Sequence, residues 1–341
     1  FVPTSMNQIR YGLGGIKGIP KDAAEAIVNE RKANGPYKDL FDLVKRVDRS
    51  NFSRRTLLSF VMAGVFDCME PNRAKLAANI DDAMALSESE SSNPGQESLF
   101  ADIEEEVMPE MKDAKPWSPY KTLVSEREVM GCVFSGHFYG AFQDEAMKEK
   151  PMPLANLKPG AKVANRRGAS VLVAGVASNI KSSFSKEGRP MGSFILDDGT
   201  SITSVNIFGD DWLLYRNFVK TDELIFVKGS VREDKFSPTH VGVSGRQLEV
   251  PATQRAARGV VVELEITDRN FDMDSLKDFL QSHRPDVDDA GCRVAVKVRD
   301  GETEGSFVFS HDWDVYVDQQ FLDELEEIPG ISYSLIDRRK K

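Results

Sequence analysis

The amino-acid sequence predicts a multidomain protein of mixed α and β structure, made of a helical block, a linker, a β-rich block and a small α/β module. Its 341 residues are enough for two or three domains. Residues 87–120 are rich in acidic residues, Pro and Gly, and such a composition buries too little apolar surface to offset the entropy of ordering. Short β-branched runs separated by turn signals fill residues 160–250. We therefore expect helices before residue 87, a flexible linker after them and a β domain from residue 160.

The net charge of −10 is unevenly distributed along the chain. Residues 1–80 carry 13 Lys and Arg against 8 Asp and Glu, whereas residues 81–120 carry 2 against 11. Residues 161–250 have a weaker basic surplus, 12 against 10, and residues 251–341 carry 12 against 20. Because basic surfaces attract phosphates, this distribution predicts nucleic-acid binding at the N-terminal end and, more weakly, in the β-rich block.

Other features of the sequence limit the environment of the protein. No apolar run approaches about 18 residues, which predicts no transmembrane helix and no membrane partner. Three distant cysteines, Cys68, Cys132 and Cys292, form no CxxC pair, which argues against a zinc site or a disulfide framework and favours a reducing cytoplasm. The N-terminus has neither an initiator Met nor the features of a signal peptide, so we expect a fragment of a longer chain.

The helical block, residues 1–86, begins with a turn between two helical segments. In LGGIKGIPKDAAEAIVNERK, a Gly-Ile-Pro turn leads into a helix that starts near Lys21. The pattern resembles the helix-hairpin-helix motif, with Pro20 in place of its second Gly. Gly lets the backbone approach a phosphate closely, and a helix N-terminus offers N–H donors. A scaffold that touches no ligand remains an equal alternative. The candidate phosphate contacts are Lys17, Gly18, Ile19 and Lys21.

A second hairpin is predicted in RRTLLSFVMAGVFDCMEPNRAKLAANI. A helix through Leu57 and Val61 would end in an Ala-Gly turn, and Asn72 would open the next helix. Two tandem hairpins with a basic surplus predict a clamp on the backbone of duplex DNA, whose phosphate contacts carry no sequence information. The candidate DNA contacts here are Arg54, Arg55, Gly64, Arg73 and Lys75.

The linker, residues 87–120, contains an apolar pair that its composition does not predict. In PGQESLF, Gln96 precedes the adjacent Leu99 and Phe100. An extended peptide of this kind can place two apolar side chains in a pocket of another protein while Gln96 makes polar contacts. The alternatives are a chance pair or a short helix that docks on its own domain.

The block at residues 160–250 follows the order strand, strand, strand, helix, strand, strand, with a turn signal at Asp198-Gly199. This is the order of an OB-fold β-barrel, whose open face and loops often bind single strands. The first inter-strand loop mixes basic and aromatic residues suited to phosphate contact and base stacking. A barrel that binds protein remains the alternative. The candidate contacts are Lys181, Phe184, Lys186 and Arg189.

The order of these parts resembles the C-terminal third of the bacterial DNA polymerase III alpha subunits, the family C replicative polymerases. The resemblance covers essentially all 341 residues. It is most specific at YGLGGIKG, at the barrel strands and at ERExxG…SGH in the connecting helical segment, residues 121–159. Phe138 departs from the Pro that usually follows that His, and Pro20 departs from the hairpin glycine. The residues that match ERExxG…SGH are Glu126, Arg127, Glu128, Gly131, Ser135, Gly136 and His137.

The resemblance implies several partners. The tandem hairpins and the barrel would bind double-stranded and single-stranded DNA. Gln96, Leu99 and Phe100 match a family peptide that binds the ring-shaped sliding clamp, the beta subunit. Residues 251–341, which alternate strands with acidic helices, match the small α/β domain that binds the tau subunit of the clamp loader. The chain would then come from a DNA-directed DNA polymerase, either the main replicative enzyme or an error-prone paralogue.

The sequence predicts no catalytic residue, metal site or cofactor in this chain. A polymerase needs paired carboxylates for two metals, so Mg²⁺ would be held only in a catalytic domain preceding residue 1. PDVDD, residues 285–289, lacks the alternating Asp spacing and is interpreted as an acidic loop. A ligase or repair nuclease, which also joins hairpins to an OB-fold, is the alternative, although KVRDG at 297–301 is one residue too long for the ligase motif Lys-x-Asp-Gly. The histidines lack ligand-like spacing: His137, His240, His283 and His311.

Overall fold

A computed structural model describes residues 2–6, 8–51, 53–92, 110–157, 168–233, 241–266, 271–285, 290–300 and 303–337. The chain divides into two compact units, Phe1–Gly136 and His137–Lys341. Within the described ranges, the first unit has a helical core, and the second has a barrel core and a sheet core. Across the same ranges, no helix is both long enough and apolar enough to span a bilayer.

The first unit is helical, as the sequence predicts. A short antiparallel strand pair opens it: β1 (Val2–Ser5) and β2 (Gln8–Arg10). Its helices are α1 (Lys21–Asn34), α2 (Leu40–Arg46), α3 (Arg54–Met62), α4 (Arg73–Ala78), α5 (Ile80–Ser92) and α6 (Pro119–Met130).

Local sequence explains where these helices lie and begin. Ala23, Ala24 and Ile27 are buried on one face of α1, the face that their spacing predicts. The side chain of Ser53 accepts a backbone N–H at the start of α3, and that of Asn72 does the same for α4. Such caps satisfy donors that the helix itself leaves unpaired, so they fix the first residue of each helix.

The linker predicted at residues 87–120 is shorter in the structure. α5 continues through Ser92, and Ala83 and Ser87 are buried on it. Asn79 exchanges two hydrogen bonds of 2.8 Å with the backbone of Lys112, which attaches this part of the chain to the helical unit. Polar composition could not predict these bonds, because they depend on which side chains meet in the fold. Residues 93–109, which include the Gln-x-x-Leu-Phe peptide, lie outside the described residues.

The connecting segment predicted at residues 121–159 divides between the two units. α6 packs into the helical core through Val129, and it ends at Gly131, whose φ of 73° is the left-handed conformation of a helix C-cap. The second unit starts after Gly136 with two short helices. They are α7 (Phe138–Ala141) and α8 (Gln143–Lys148).

The middle of the second unit is the predicted OB-fold barrel. The strands close in the order β3-β4-β5-β7-β6, and the helix α9 lies between β5 and β6 in sequence. Inward-facing residues alternate along the strands and fill the interior, with Val173, Phe194 and Val205 among the buried ones. The barrel elements are β3 (Ser170–Phe184), β4 (Pro190–Asp197), β5 (Ile202–Phe208), α9 (Asp210–Tyr215), β6 (Leu224–Glu233) and β7 (Val241–Glu249).

The end of the chain forms the small α/β module that the sequence predicts. Its sheet has the order β10-β9-β8-β11, in which β8 and β9 are parallel and the other pairs antiparallel. Leu276 and Phe321 bury helix faces against the sheet. The elements are α10 (Pro251–Ala257), β8 (Val260–Ile266), α11 (Met273–Ser282), β9 (Arg293–Asp300), β10 (Thr303–Val308), α12 (Gln319–Leu325) and β11 (Ile331–Asp337).

Candidate nucleic-acid interface

The first hairpin has the predicted turn but not the predicted approach helix. Only a 3-10 turn, Leu13–Gly15, precedes it, because three of the four residues from Gly12 to Gly15 are glycines with low helix propensity. Gly18 has a φ of 84°, a conformation that favours Gly, and α1 begins at Lys21. Pro20 is the N-cap residue, so its missing N–H lies before the helix and the donors of the first turn remain.

Cations from two different segments lie at this turn. Lys17 and Lys21 are exposed beside Gly18 in the chain. Arg55 comes from α3: a methyl group placed on Gly18 would lie 3.9 Å from Arg55 Nε. Lys21 Nζ lies 3.4 Å from the exposed carboxylate of Glu25, whereas neither Lys17 nor Arg55 forms an ion pair within the part of the chain that the structure describes. Arg55, which is predicted at the second hairpin and lies on its helix α3, therefore places its side chain beside the turn of the first.

The C-terminal end of α6 holds the first turn in place. The Lys17 N–H donates to the Val129 carbonyl at 2.8 Å. The Tyr11 hydroxyl donates to the Gly15 carbonyl at 2.8 Å and lies 3.4 Å from the Met130 carbonyl. These contacts fix the turn without using the Lys17 side chain, which stays exposed.

The second hairpin is formed by α3, a turn with Gly64 at a φ of 71°, and α4, as predicted, but Arg73 faces inward. The Arg73 side chain is only 6% exposed. Its guanidinium donates to both Asp67 oxygens at 2.9 and 2.6 Å, to Glu126 Oε1 at 2.9 Å and to Ser135 Oγ at 3.1 Å. The prediction that Arg73 contacts DNA is therefore corrected: the guanidinium is buried and its donors already bind protein partners, among them the buried carboxylate of Glu126.

Gly64 is also closed to a ligand on its Cα side. A methyl group placed on Gly64 would overlap the Arg73 guanidinium. The glycine is needed for its positive φ and for this close approach of Arg73, and the predicted approach of a phosphate to Gly64 has no opening on that side.

The Glu126 carboxylate accepts several hydrogen bonds at the centre of this cluster. Its carboxylate is 1% exposed and accepts from the Phe134 N–H at 2.6 Å, the Ser135 N–H at 3.0 Å, the Ser135 hydroxyl and Arg73. Burial alone would raise the pKa of the Glu126 carboxyl, but these hydrogen bonds outweigh it and lower the pKa. The cluster thus joins α4, α6 and the loop after α6, and it gives two residues of the ERExxG…SGH motif, Glu126 and Ser135, a structural role.

The remaining cations predicted at the second hairpin have carboxylate partners. Arg54 Nε lies 2.7 Å from Asp81 Oδ1. Lys75 Nζ lies 3.5 Å from Glu70 and 3.9 Å from Asp113. Because each cation faces a nearby anion, this hairpin presents less net positive charge to a phosphate than the first.

The four barrel candidates lie at the end of β3 and in the turn between β3 and β4. All are exposed, Phe184 by 76%, and Arg189 Nε lies 3.5 Å from Glu187. Lys181 and Phe184 are three residues apart on one strand, so their side chains leave opposite faces of the β3–β4 ribbon. The structure therefore does not bring Lys181, Phe184, Lys186 and Arg189 to a single face.

The outer face of the barrel contains candidates that the sequence reasoning missed. Phe208 is 46% exposed on β5 and pairs across from Met191 on β4. Arg232 on β6 donates to Ser204 Oγ at 3.3 Å, also on β5. The alternation in ITSVNIF, which puts Ile202, Ser204, Asn206 and Phe208 on one face, was the signal that could have located them.

Among the described residues, no group of three or more His, Cys, Asp and Glu side chains could hold a metal ion. Each described histidine has a nearby carboxylate. Nε2 of His137 lies 3.3 Å from Asp197, Nε2 of His283 lies 3.3 Å from Glu324, and Nδ1 of His311 lies 3.0 Å from Asp314. His240 and residues 286–289 of the acidic loop lie outside the described ranges.

Two family models match the chain: the helix-hairpin-helix motif over residues 1–76 and the OB-fold nucleic acid binding domain over residues 171–254. Curated relatives are alpha subunits of DNA polymerase III. That of Neisseria meningitidis serogroup A is 32% identical over 69% of this chain and 20% of its own length. That of Escherichia coli K12 is 27% identical over 95% of this chain and 28% of its own length.

The chain thus spans between a fifth and somewhat more than a quarter of the length of these relatives. Among solved structures, the asparaginyl-tRNA synthetase of Pyrococcus horikoshii shares 18% identity over 30% of this chain and 23% of its own, with a TM-score of 0.24. The two family-model matches and the sequence similarity to the curated relatives together support a DNA-binding role.

Proposed function

The chain matches the C-terminal region of the bacterial DNA polymerase III alpha subunits, and from this premise we propose that it grips primer–template DNA and tethers the polymerase to the sliding clamp and the clamp loader. The chain itself would bind and hold, while the nucleotidyl transfer would take place in another part of the parent polymerase. The observation that carries the proposal is the first hairpin, an open positive-φ turn with Lys17 and Arg55 beside it.

Duplex binding is assigned to this hairpin because its chemistry suits a phosphate. The first-turn N–H groups of α1 have no side-chain cap, and the positive end of the helix dipole favours an anion there. The exposed cations add a screened Coulomb attraction. Such contacts recognise the DNA backbone and not its bases, which suits a polymerase that must bind every sequence.

The barrel is assigned to single-stranded DNA. Phe184 and Phe208 are exposed aromatic rings on which bases can stack, and Lys181, Lys186 and Arg189 are exposed cations nearby in sequence. The rings and cations lie on more than one face of the β3–β4 ribbon, so a strand bound here would wrap the ribbon.

Protein partners are assigned to the two remaining segments. Gln96, Leu99 and Phe100 would bind the sliding clamp, and residues 251–341 would bind the tau subunit. Burial of a Leu and a Phe contributes roughly 3–6 kcal/mol before ordering costs, so the peptide alone would bind weakly. Holding the clamp and the DNA together raises the effective concentration of each, which would lengthen each synthesis run.

A salt titration of duplex binding tests the DNA assignment. The log of the affinity should fall linearly with the log of the salt concentration, with a slope of about −0.9 per phosphate contacted. Lys17→Ala/Arg55→Ala should make that slope shallower by about 1.8. Lys32→Ala/Arg31→Ala removes the same two residue types from the other end of α1 and should leave the slope unchanged. Equal slopes for the two double variants would refute the assignment.

Calorimetry with a bacterial sliding clamp tests the tether. The wild-type chain should bind, and Leu99→Ala/Phe100→Ala should abolish the binding because both apolar anchors are lost. Val107→Ala/Met108→Ala, which trims another apolar pair of the same segment, is the matched control and should bind as the wild type does. Binding that survives the first double change would separate this peptide from the clamp.

A further inference from the structure

An aromatic ring beside the first hairpin is held out into solvent. Phe134 lies in the loop after α6 and is 60% exposed. Its ring meets the ring of Tyr11 edge to face, with centroids 5.7 Å apart and an interplanar angle of 76°. Burying a Phe side chain is favourable by roughly 2–3 kcal/mol, so a fold that keeps one exposed leaves that energy available to a ligand.

The exposure of Phe134 follows from hydrogen bonds to a buried group. The Phe134 N–H donates to Glu126 Oε2 at 2.6 Å, and Ser135 donates to the same carboxylate through its N–H and its hydroxyl. Glu126 is itself held by Arg73. These bonds fix the backbone of the loop at Phe134 and Ser135, and the edge-to-face contact with Tyr11 packs one side of the ring, while the rest of the ring stays exposed.

Tyr11 connects the ring to the turn that carries the proposed phosphate contacts. Tyr11, which Phe134 touches, donates its hydroxyl hydrogen bond to Gly15, two residues before Lys17. The Lys17 backbone is bonded to Val129 in the last turn of α6, a few residues before the loop. An exposed aromatic face beside exposed cations is the combination that single-stranded nucleic acids bind, through stacking of bases and contacts to phosphates.

We propose that Phe134 is a stacking platform for an unpaired nucleobase at the point where the duplex held by the first hairpin becomes single-stranded. The proposal rests on the duplex binding proposed above. The turn that Tyr11 contacts carries the exposed cations Lys17 and Arg55, so charge favours a nucleic acid over an apolar peptide as the occupant. Glu126 and Ser135 are positioning residues: they act on the DNA only through the ring that they hold.

Affinity for two DNAs tests the platform. One is a blunt duplex, and the other is the same duplex with a single-stranded extension whose first unpaired nucleotide is 2-aminopurine. The wild-type chain should prefer the second DNA and quench its fluorescence by stacking. Phe134→Leu, which keeps an apolar side chain but removes the ring, should lower the ratio of the two affinities roughly tenfold and relieve the quenching. Phe134→Tyr should retain both.

The outcomes separate this proposal from the duplex assignment. A wild-type chain that does not bind the blunt duplex would overturn the duplex assignment and the platform together. A duplex-binding chain whose affinity ratio and quenching are the same in Phe134→Leu would overturn the platform alone. Loss of sliding-clamp binding in Phe134→Leu, with DNA binding intact, would assign the ring to a protein contact and would also overturn it.

Ser135 tests the positioning part of the proposal. Ser135→Ala removes the hydroxyl bond to Glu126, so the 2-aminopurine quenching should fall to an intermediate value. Ser135→Thr keeps a hydroxyl and should restore the quenching. Val124→Ala trims a partly exposed apolar residue on the same helix α6 and is the control that should change nothing. Full quenching in Ser135→Ala would remove the role of Ser135.

Discussion

The two hairpins of the helical unit have the same type of turn and different surroundings. Gly18 and Gly64 have similar positive φ angles, 84° and 71°. Around Gly18 the nearest side-chain atoms are Ser59 Oγ and Arg55 Nε, 3.7 and 3.9 Å from where a Cβ would be. At Gly64 the corresponding space is filled by the guanidinium of Arg73. A shared motif therefore predicts the turn, but not whether the turn can meet a ligand.

The two hairpins therefore differ in the role that their side chains can have. The first has an exposed helix N-terminus and two cations, Lys17 and Arg55, that form no ion pair within the described ranges, which suits binding. The second uses Arg73 to attach α4 to Glu126 and the loop after α6. In consequence, changes at the second hairpin should act mainly on stability, and changes at the first mainly on affinity for DNA.

The largest expected effect is at Arg73. Arg73→Ala should lower the unfolding free energy of the helical unit by about 3–5 kcal/mol, because it leaves Glu126 buried without its cation. Urea unfolding followed by NMR signals of α3 and α4 amides measures this. Arg54→Ala, whose ion pair with Asp81 is exposed to solvent, is the control and should lower the unfolding free energy far less. A similar decrease of the unfolding free energy in both variants would contradict the proposed difference between the two hairpins.

A smaller effect is expected when the two turn glycines are exchanged for Ala. Gly18→Ala should destabilise the unit by about 1–2 kcal/mol through its positive φ. Gly64→Ala has the same strain and must also displace the Arg73 guanidinium, which adds about 1–3 kcal/mol. The same unfolding measurement compares them. If Gly18→Ala lowered the unfolding free energy more than Gly64→Ala, the second turn would not be closed by Arg73.

Acidification should weaken the second hairpin in preference to the first. The folded-state pKa of Glu126 lies below its ordinary value of 4.5, so the unfolded chain binds more protons at acid pH. Its contribution to stability is present above pH 4.5 and is lost as the pH falls through the folded-state pKa. Unfolding of α4, compared with that of α1 between pH 6 and pH 3, should show this loss, and Glu126→Gln should show a shallower dependence of the unfolding free energy on pH. An equal dependence of the unfolding free energy on pH in the wild type and in Glu126→Gln would contradict the role of the Glu126 carboxylate.

The barrel and the first turn could be predicted from sequence because their signals are local. Alternating apolar residues and the Asp198-Gly199 turn give the strand order, and Gly18 gives the hairpin. The role of Arg73 could not be predicted, because Glu126 and Ser135 lie 53 and 62 positions further along the chain. The same holds for Arg55, whose neighbour Gly18 belongs to another segment.

The separation between Arg73 and Ser135 also orders events during synthesis. At about 5–20 residues per second, the ribosome needs several seconds to add the 62 residues between them. Glu126 is added only nine positions before Ser135. The guanidinium of Arg73 therefore lacks the Glu126 carboxylate for most of this time. The helical unit can therefore complete its fold only after the whole segment between α5 and α6 has been translated. A gene truncated at the end of α5 would encode two hairpins, of which the second keeps the ion pair between Arg73 and Asp67 but lacks the buried carboxylate of Glu126.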